Sequence, residues 1–222
     1  RKFGEIIRSN KLESVDVFSL NADFFGHSKG GHSYSYGLEW AQNKINSRAY
    51  AFDLELDFES ITGFINQRPI PSRYPDNGSS ATSFAIYLNW IYELNKRLNL
   101  NAGLRLTSSS LNGNWNKIAS VDKLLSSVKL DSKALTYTLA ITYRPNKKLQ
   151  INGLLSSGFR NPNIDDIGKI RENNGILLVP NSFLKPEYAY TFESGIKIRS
   201  NNQKSYFDLR GFSTLVSRHI VR

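Results

Sequence analysis

Apolar residues stand on every second position in several separate segments of this chain. The clearest runs from Leu135 to Tyr143, where Leu135, Tyr137, Leu139, Ile141 and Tyr143 alternate with Thr136, Thr138, Ala140 and Thr142. Successive side chains of an extended chain leave opposite faces, so period two predicts strands with one apolar face. The pattern returns at His32, Tyr34, Tyr36, Leu38, Trp40; at Phe84, Ile86, Leu88, Trp90, Tyr92; at Leu98 to Leu106; and from Tyr188 to Ile198. Each segment is about ten residues long, enough for a tilted strand to cross a bilayer.

Eight strands are expected, near 13–25, 31–43, 81–94, 98–108, 134–144, 149–159, 187–199 and 204–216. Four short connections, around Gly26–Gly30, Asn95–Arg97, Pro145–Lys148 and Asn201–Gln203, carry residues suited to turns. Between them lie three long connections of roughly 25 to 35 residues. Strict alternation of short and long is the habit of an outer-membrane barrel, with periplasmic turns below and external loops above. The expected fold is therefore an all-β, antiparallel transmembrane β-barrel. Trp40, Trp90, Tyr92, Tyr143, Phe159, Tyr188 and Tyr190 are placed for the bilayer interfaces. Arg105 and Glu193 fall mid-strand, where facing lipid would cost the Arg about 2–4 kcal/mol, so both should face a wet or plugged interior.

Composition narrows the function. A formal charge of +10 is shared with nucleic-acid binders. Here the cations are scattered: Lys96, Arg97, Lys147, Lys148 and Lys204 in turns, others in one long loop, with no groove-reading helix. Solvated surface, or contact with phosphates of outer-leaflet lipid, accounts for them better. The absence of Cys removes thiol catalysis and thiolate metal sites. Three His residues (His27, His32, His219) fit surface or interface positions better than a hydrolase base or a haem ligand. Neither an enzyme nor a cofactor is expected. A second alternating stretch, Tyr50 to Glu59, puts Asp53, Glu55, Asp57 and Glu59 on one face. Carboxylates about 6.5 Å apart on one strand cannot wrap an ion, so an acidic face on a strand rising above the membrane is expected. Pro69, Pro71 and Pro75 with Asp76-Asn77-Gly78 mark bends in the first long loop, either stiffening a capture surface or keeping a strand edge from pairing.

Two segments carry a family resemblance. Ser156-Ser157-Gly158-Phe159-Arg160-Asn161-Pro162-Asn163 resembles the S-x-G-F-R-A-P-N segment of TonB-dependent outer-membrane receptors, with Asn161 at the usual Ala position. Leu184-Lys185-Pro186-Glu187, followed by Glu193 and Gly195, resembles the L-K-P-E segment downstream. Asn101-Ala102-Gly103-Leu104-Arg105 is similar to a strand common in these barrels, and the loop around Asp165-Asp166-Ile167-Gly168-Lys169 most resembles receptors of Bacteroidota-type bacteria.

The resemblance implies a barrel of about 22 strands, of which residues 1–222 would be a middle part, with plug domain, TonB box and final strands lying elsewhere. It implies active, high-affinity uptake of a scarce ligand, such as an iron–siderophore or haem, powered by the TonB complex through the plug. Outer-membrane lipid, lipopolysaccharide and a surface lipoprotein are further implied partners. Candidate ligand contacts are Arg68, Arg73, Tyr74, Arg160, Asn163, Asp165, Asp166, Lys169 and Arg171, with arginines suited to carboxylate or phosphate. Arg160 and Asp165 have a second reading, as ties between loop and rim. The alternatives are a self-contained eight-stranded barrel serving as passive pore or structural protein, and a soluble lipocalin-like barrel.

Overall fold

The computed structural model describes residues 7–57, 60–116, 127–167, 171–173, 176–178, 181–202 and 204–220, with the backbone alone at 171–173 and 176–178. In chain order the elements are β1 (Ile7–Ser28), β2 (His32–Asp57), β3 (Ser60–Pro69), β4 (Ser79–Asn95), β5 (Leu98–Asn114), β6 (Ser127–Tyr143) and β7 (Leu149–Arg160). They are followed by the one-turn helix α1 (Ile164–Ile167), β8 (Arg171–Asn173), β9 (Ile176–Leu178), β10 (Glu187–Arg199) and β11 (Tyr206–Ser217). The main sheet is an antiparallel meander, β1-β2-β4-β5-β6-β7-β10-β11, with β3 added to the far end of β2. β8 and β9 pair separately. All eight expected strands are present. β1 and β11 are each hydrogen-bonded to one neighbour, so the described strands form an open arc of wall.

Register aligns the apolar positions into rows that run across the wall. Ala22, Leu38, Ile86, Leu106 and Leu135 form one such row, and Phe24, Tyr36, Leu88, Leu104 and Tyr137 the next. Leu38, Ile86, Leu104 and Leu139 are 46%, 41%, 54% and 52% exposed, the surface a bilayer would cover. Near the turns the band ends in rings: His32 stacks on Tyr92 with centroids 4.2 Å apart, and Trp90 Nε1 donates to His32 Nδ1 at 3.2 Å. At the opposite border Phe18 meets Trp40 edge-on at 5.3 Å. These are the two interfacial girdles.

The inner face is polar. Arg105 grips Glu39 with both guanidinium nitrogens, at 2.8 and 2.5 Å. Glu193 lies 3.6 Å from Arg210, and Lys197 lies 3.7 Å from Asp208. Arg105 and Glu193 thus face the interior, as their cost in lipid requires.

Four differences from the sequence reading are instructive. β1 and β2 are 22 and 26 residues long, well beyond the bilayer, so Trp40 lies inside a strand rather than near its end. The Tyr50–Asp57 stretch continues β2 as the expected strand extension, but β3 pairs with it inside what reads as a loop. His27, placed in a turn by the sequence, belongs to β1 opposite Ser33 and bonds its hydroxyl at 2.9 Å. The second long connection shrinks to 115–126, because Ser109–Asn114 and Ser127–Lys133 are paired strand. Above the bilayer both faces meet water or loop, so Ser and Asn replace the apolar alternation that marks a strand.

β6 and β7 pair only over Thr138–Tyr143 and Ile151–Ser156, whereas β5 and β6 pair along their full length. Above Thr138 the two strands diverge.

Candidate functional site

The described parts of the long connections fold inward above the membrane band and meet on the inner face. Leu111, Trp115, Val128 and Leu130 from the ends of β5 and β6 bury Ile164 and Ile167 of α1, and Ile45, Tyr74, Ala81 and Leu184 pack around them. Gly113 permits this: a Cβ there would lie 2.9 Å from Pro75 Cγ and 3.4 Å from Ile164 Cδ1. Pro75 is fully buried, so the first loop is held by packing as well as bends.

The two motif segments are neighbours in space, for Arg160 and Glu187 are register partners at the upper ends of β7 and β10. Arg160 lies 2.7 Å from Asp166 and 3.7 Å from Glu187. Asn163 caps α1: its Oδ1 accepts the Asp166 N–H at 3.1 Å, while Asp166 Oδ2 accepts the Asn163 N–H at 2.9 Å, a reciprocal capping box. The Asp166 side chain is wholly buried. Glu187 also accepts the Ile220 N–H at 3.0 Å and lies 3.4 Å from His219 Nδ1. That backbone donor, with His219 and Arg160, holds the Glu187 carboxyl below the ordinary glutamate range.

Asp165 points the other way, toward the first loop. Arg73 approaches it at 3.7 Å, and Tyr74 donates its hydroxyl at 3.5 Å. Burial, then the Asp165 charge, raises the Tyr74 phenol above its ordinary value. Arg73 also covers the Tyr74 ring, 5.2 Å from its centroid. Asp165 and Asp166, adjacent on α1, therefore tie two loops and the rim together.

Of the sequence-named residues, Arg73, Tyr74, Arg160, Asn163, Asp165, Asp166 and Glu187 converge on this rim. Leu184 joins its core, Pro162 and Pro186 are buried beside it, and Lys185 is exposed. Phe159 faces outward against Tyr188, 6.4 Å away. Arg68 is engaged on β3, 2.5 Å from Asp53. That contact and Asn66 hold the Asp53 carboxyl below the ordinary aspartate range. Glu59 and Lys169 lie outside the described residues, as does the Arg171 side chain. Among the described residues no cluster of His, Asp and Glu could hold a metal ion.

Asn161 is the residue the sequence undervalued. Its Nδ2 donates to Ser109 of β5 at 2.7 Å, and its Oδ1 accepts from Ser132 of β6 at 3.0 Å. One amide thus spans the gap where β6 and β7 part. The substitution of Ala by Asn in the motif was the available signal.

What this rim can do is bind at a mouth. It offers buried and half-buried charges on the described parts of loops that fold inward.

Solved structures with this architecture are numerous. The wall superposes on the "copper transporter OprC" with a TM-score of 0.66 at 14% identity, covering 93% of this chain and 31% of that one. For the hemophore receptor HasR of Serratia marcescens, solved with its hemophore HasA and heme, the TM-score is 0.61 at 18% identity, covering 95% and 34%. For the siderophore receptor PiuA of Acinetobacter baumannii it is 0.57 at 15%, covering 93% and 32%. The chain thus spans about a third of the length of the proteins it resembles. A search of curated proteins by sequence finds no match. The sequence profile described as "TonB dependent receptor-like, beta-barrel" matches residues 4–221. The chain belongs to that family of Gram-negative outer-membrane receptors, as its lipid-facing rows, polar inner face and inward-folded rim would require.

Proposed function

We propose that this chain is part of the wall and mouth of a receptor that actively imports a scarce ligand, of the iron–siderophore or haem class, with energy from the TonB complex. The observation that carries the reading is the rim where Asp165 and Asp166 bind two loops to the wall. Such a mouth presents a preorganised surface, so little ordering entropy is lost when a ligand binds. Arg73, half exposed beside Tyr74, is the cation best placed for an anionic ligand group.

The polar inner face supports a plugged lumen. Asn101 Oδ1 is buried there without a hydrogen-bond partner among the described residues, an acceptor suited to a donor from an enclosed domain. The open edges of β1 and β11 suit further strands of one larger barrel. In this account the residues perform no covalent chemistry; they bind, and the energy of release comes from elsewhere.

The test is uptake by intact cells that carry the full-length gene, with ferric siderophore and haem offered separately as sole iron source. Uptake that disappears on deletion of the gene, and equally on loss of the proton-motive force, supports the reading. Uptake that is gene-dependent but unaffected by a protonophore would make the protein a passive pore instead.

A further inference from the structure

We propose that the lumenal side of the wall, at the end that carries the short turns, holds an oxyanion-binding site. Arg144, Lys148 and Arg199 build it, and it takes the phosphate or carboxylate group of a molecule leaving the lumen. It lies at the opposite end of β7 and β10 from the rim of Arg160 and Glu187. That the anion arrives through the lumen rests on the import reading; that the groove binds an oxyanion does not.

The sequence concentrates positive charge at this end. The four turns, residues 29–31, 96–97, 144–148 and 200–205, each carry at least one Lys or Arg and no Asp or Glu. Between β6, β7 and β10 that charge gathers on the inner face. Gln150 is the register partner of Lys197, which lies on the lumenal side with Asp208. Arg199 stands two residues beyond Lys197 and so shares its face. The Arg199 N–H donates to the Lys148 carbonyl oxygen at 2.7 Å, which holds the β6–β7 turn beside β10.

Here the wall holds a groove of about 170 Å³, lined by Arg144, Asn146, Lys147, Lys148, Gln150 and Arg199. Arg144 is aimed by neutral groups. Its Nε donates to Gln150 Oε1 at 2.9 Å, and Gln150 Nε2 donates in turn to Asn152 Oδ1 at 2.9 Å. An amide orients the guanidinium without cancelling its charge, and leaves the terminal nitrogens for a bidentate oxyanion. Asn146 Oδ1 accepts the N–H groups of Lys148 and Leu149, so the turn keeps its shape without a ligand. None of the four cations has a carboxylate within ion-pair distance among the described residues. Asp208, in the row of Gln150 and Lys197, is already held by Lys197 at 3.7 Å and Arg210 at 3.1 Å. Four like charges around one small concavity raise the local potential and draw an anion to it. A phosphate or carboxylate answers both that charge and the fork of Arg144.

The full-length receptor in phosphatidylcholine nanodiscs is titrated with inorganic pyrophosphate by isothermal titration calorimetry, at ~0.15 M salt to screen long-range attraction. Saturable binding is expected, weakened at least about tenfold in R144Q/R199Q. Q150A keeps every charge but frees the guanidinium, and should weaken binding about threefold or more. K29Q, in a turn away from the groove, should bind as the wild type does. Heat-modified gel migration confirms that each variant is a folded barrel. No binding by the wild type overturns the proposal, as does equal affinity in R144Q/R199Q or in Q150A. A loss in K29Q matching that in R144Q/R199Q would reduce the site to general surface charge and overturn it too. Titration in phosphatidylglycerol nanodiscs separates two sources of phosphate. Unchanged affinity keeps the groove for soluble anions; abolished binding gives it to lipid headgroups, against the proposal. Because calorimetry needs no transport, failure here leaves the import reading standing, and failure of uptake leaves the groove standing as an oxyanion site.

Discussion

Tyr87 crosses over Gly37. The phenol leaves β4, passes above the glycine of β2 and donates its hydroxyl to Asp23 on β1, so one side chain joins three strands on the inner face. A Cβ at position 37 would lie 2.6 Å from the Tyr87 hydroxyl and 2.5 Å from the Ala22 carbonyl oxygen. Only glycine leaves the ring this path.

Gly37→Ala should therefore destabilise the full-length barrel by about 1–3 kcal/mol, since neither the carbonyl nor the ring can retreat without moving a strand. Tyr87→Phe keeps the ring and loses the hydrogen bond, for about 1 kcal/mol. Urea unfolding in lipid vesicles, followed by tryptophan fluorescence, measures both. Tolerance of alanine at wild-type stability would contradict the geometry.

Asn161→Ala restores the residue usual in the family motif and should nevertheless loosen this chain. The change removes both bonds across the divergence of β6 and β7, each contributing about 0.5–1.5 kcal/mol. Hydrogen exchange over 161–167 should quicken, while exchange in β10 stays as it was. Ser109→Ala and Ser132→Ala should each give part of that effect.

Asp165→Asn should weaken the tie to the first loop with little effect on the barrel. The Arg73 contact is half exposed, so its coupling with Asp165 in a double-mutant cycle is expected at about 0.2–1 kcal/mol. Limited proteolysis within 70–78 gives the readout. Asp166→Asn, at a wholly buried carboxylate that serves Arg160 and the helix cap, should cost more.

Acid should release the segment after β11. The folded-state pKa of Glu187 is lowered, so its contribution is complete above the ordinary value of 4.5 and is lost as pH falls through the folded value. Protection of the Ile220 amide should fade in that acid range. Glu187→Gln should show weak protection at neutral pH and no such acid step. A step that persists in Glu187→Gln would assign it to another group.

Much of the wall was legible in the sequence, because rows such as Leu135 to Tyr143 must keep one face in lipid and the pleat does the rest. Arg105 and Glu193 announced the inner face for the same reason: no other side could hold them. The upper strands were not legible. Ser108 to Asn112 carry no apolar alternation, since their outer face meets water, and their pairing follows from strands already in register below. The rim was legible only as residue types. That Asp165 and Asp166 would face opposite partners follows from a single turn of helix, whose position is set by burial of Ile164 and Ile167 against strands far away in sequence. Asn161 gave a signal only through its departure from a motif, and nothing local in the chain says which two serines it would reach.

The parting of β6 and β7 gives this wall a seam. Elsewhere neighbouring strands are stitched along most of their length; here the stitching stops at Thr138 and Ser156, and above it one amide, one serine hydroxyl on the Tyr137 N–H and a one-turn helix close the gap. A sheet under tension tears where the fewest rungs cross it. On the import reading proposed above, a large cargo forcing the mouth would part the described wall first along this line, and Asn161 is the button that holds it shut.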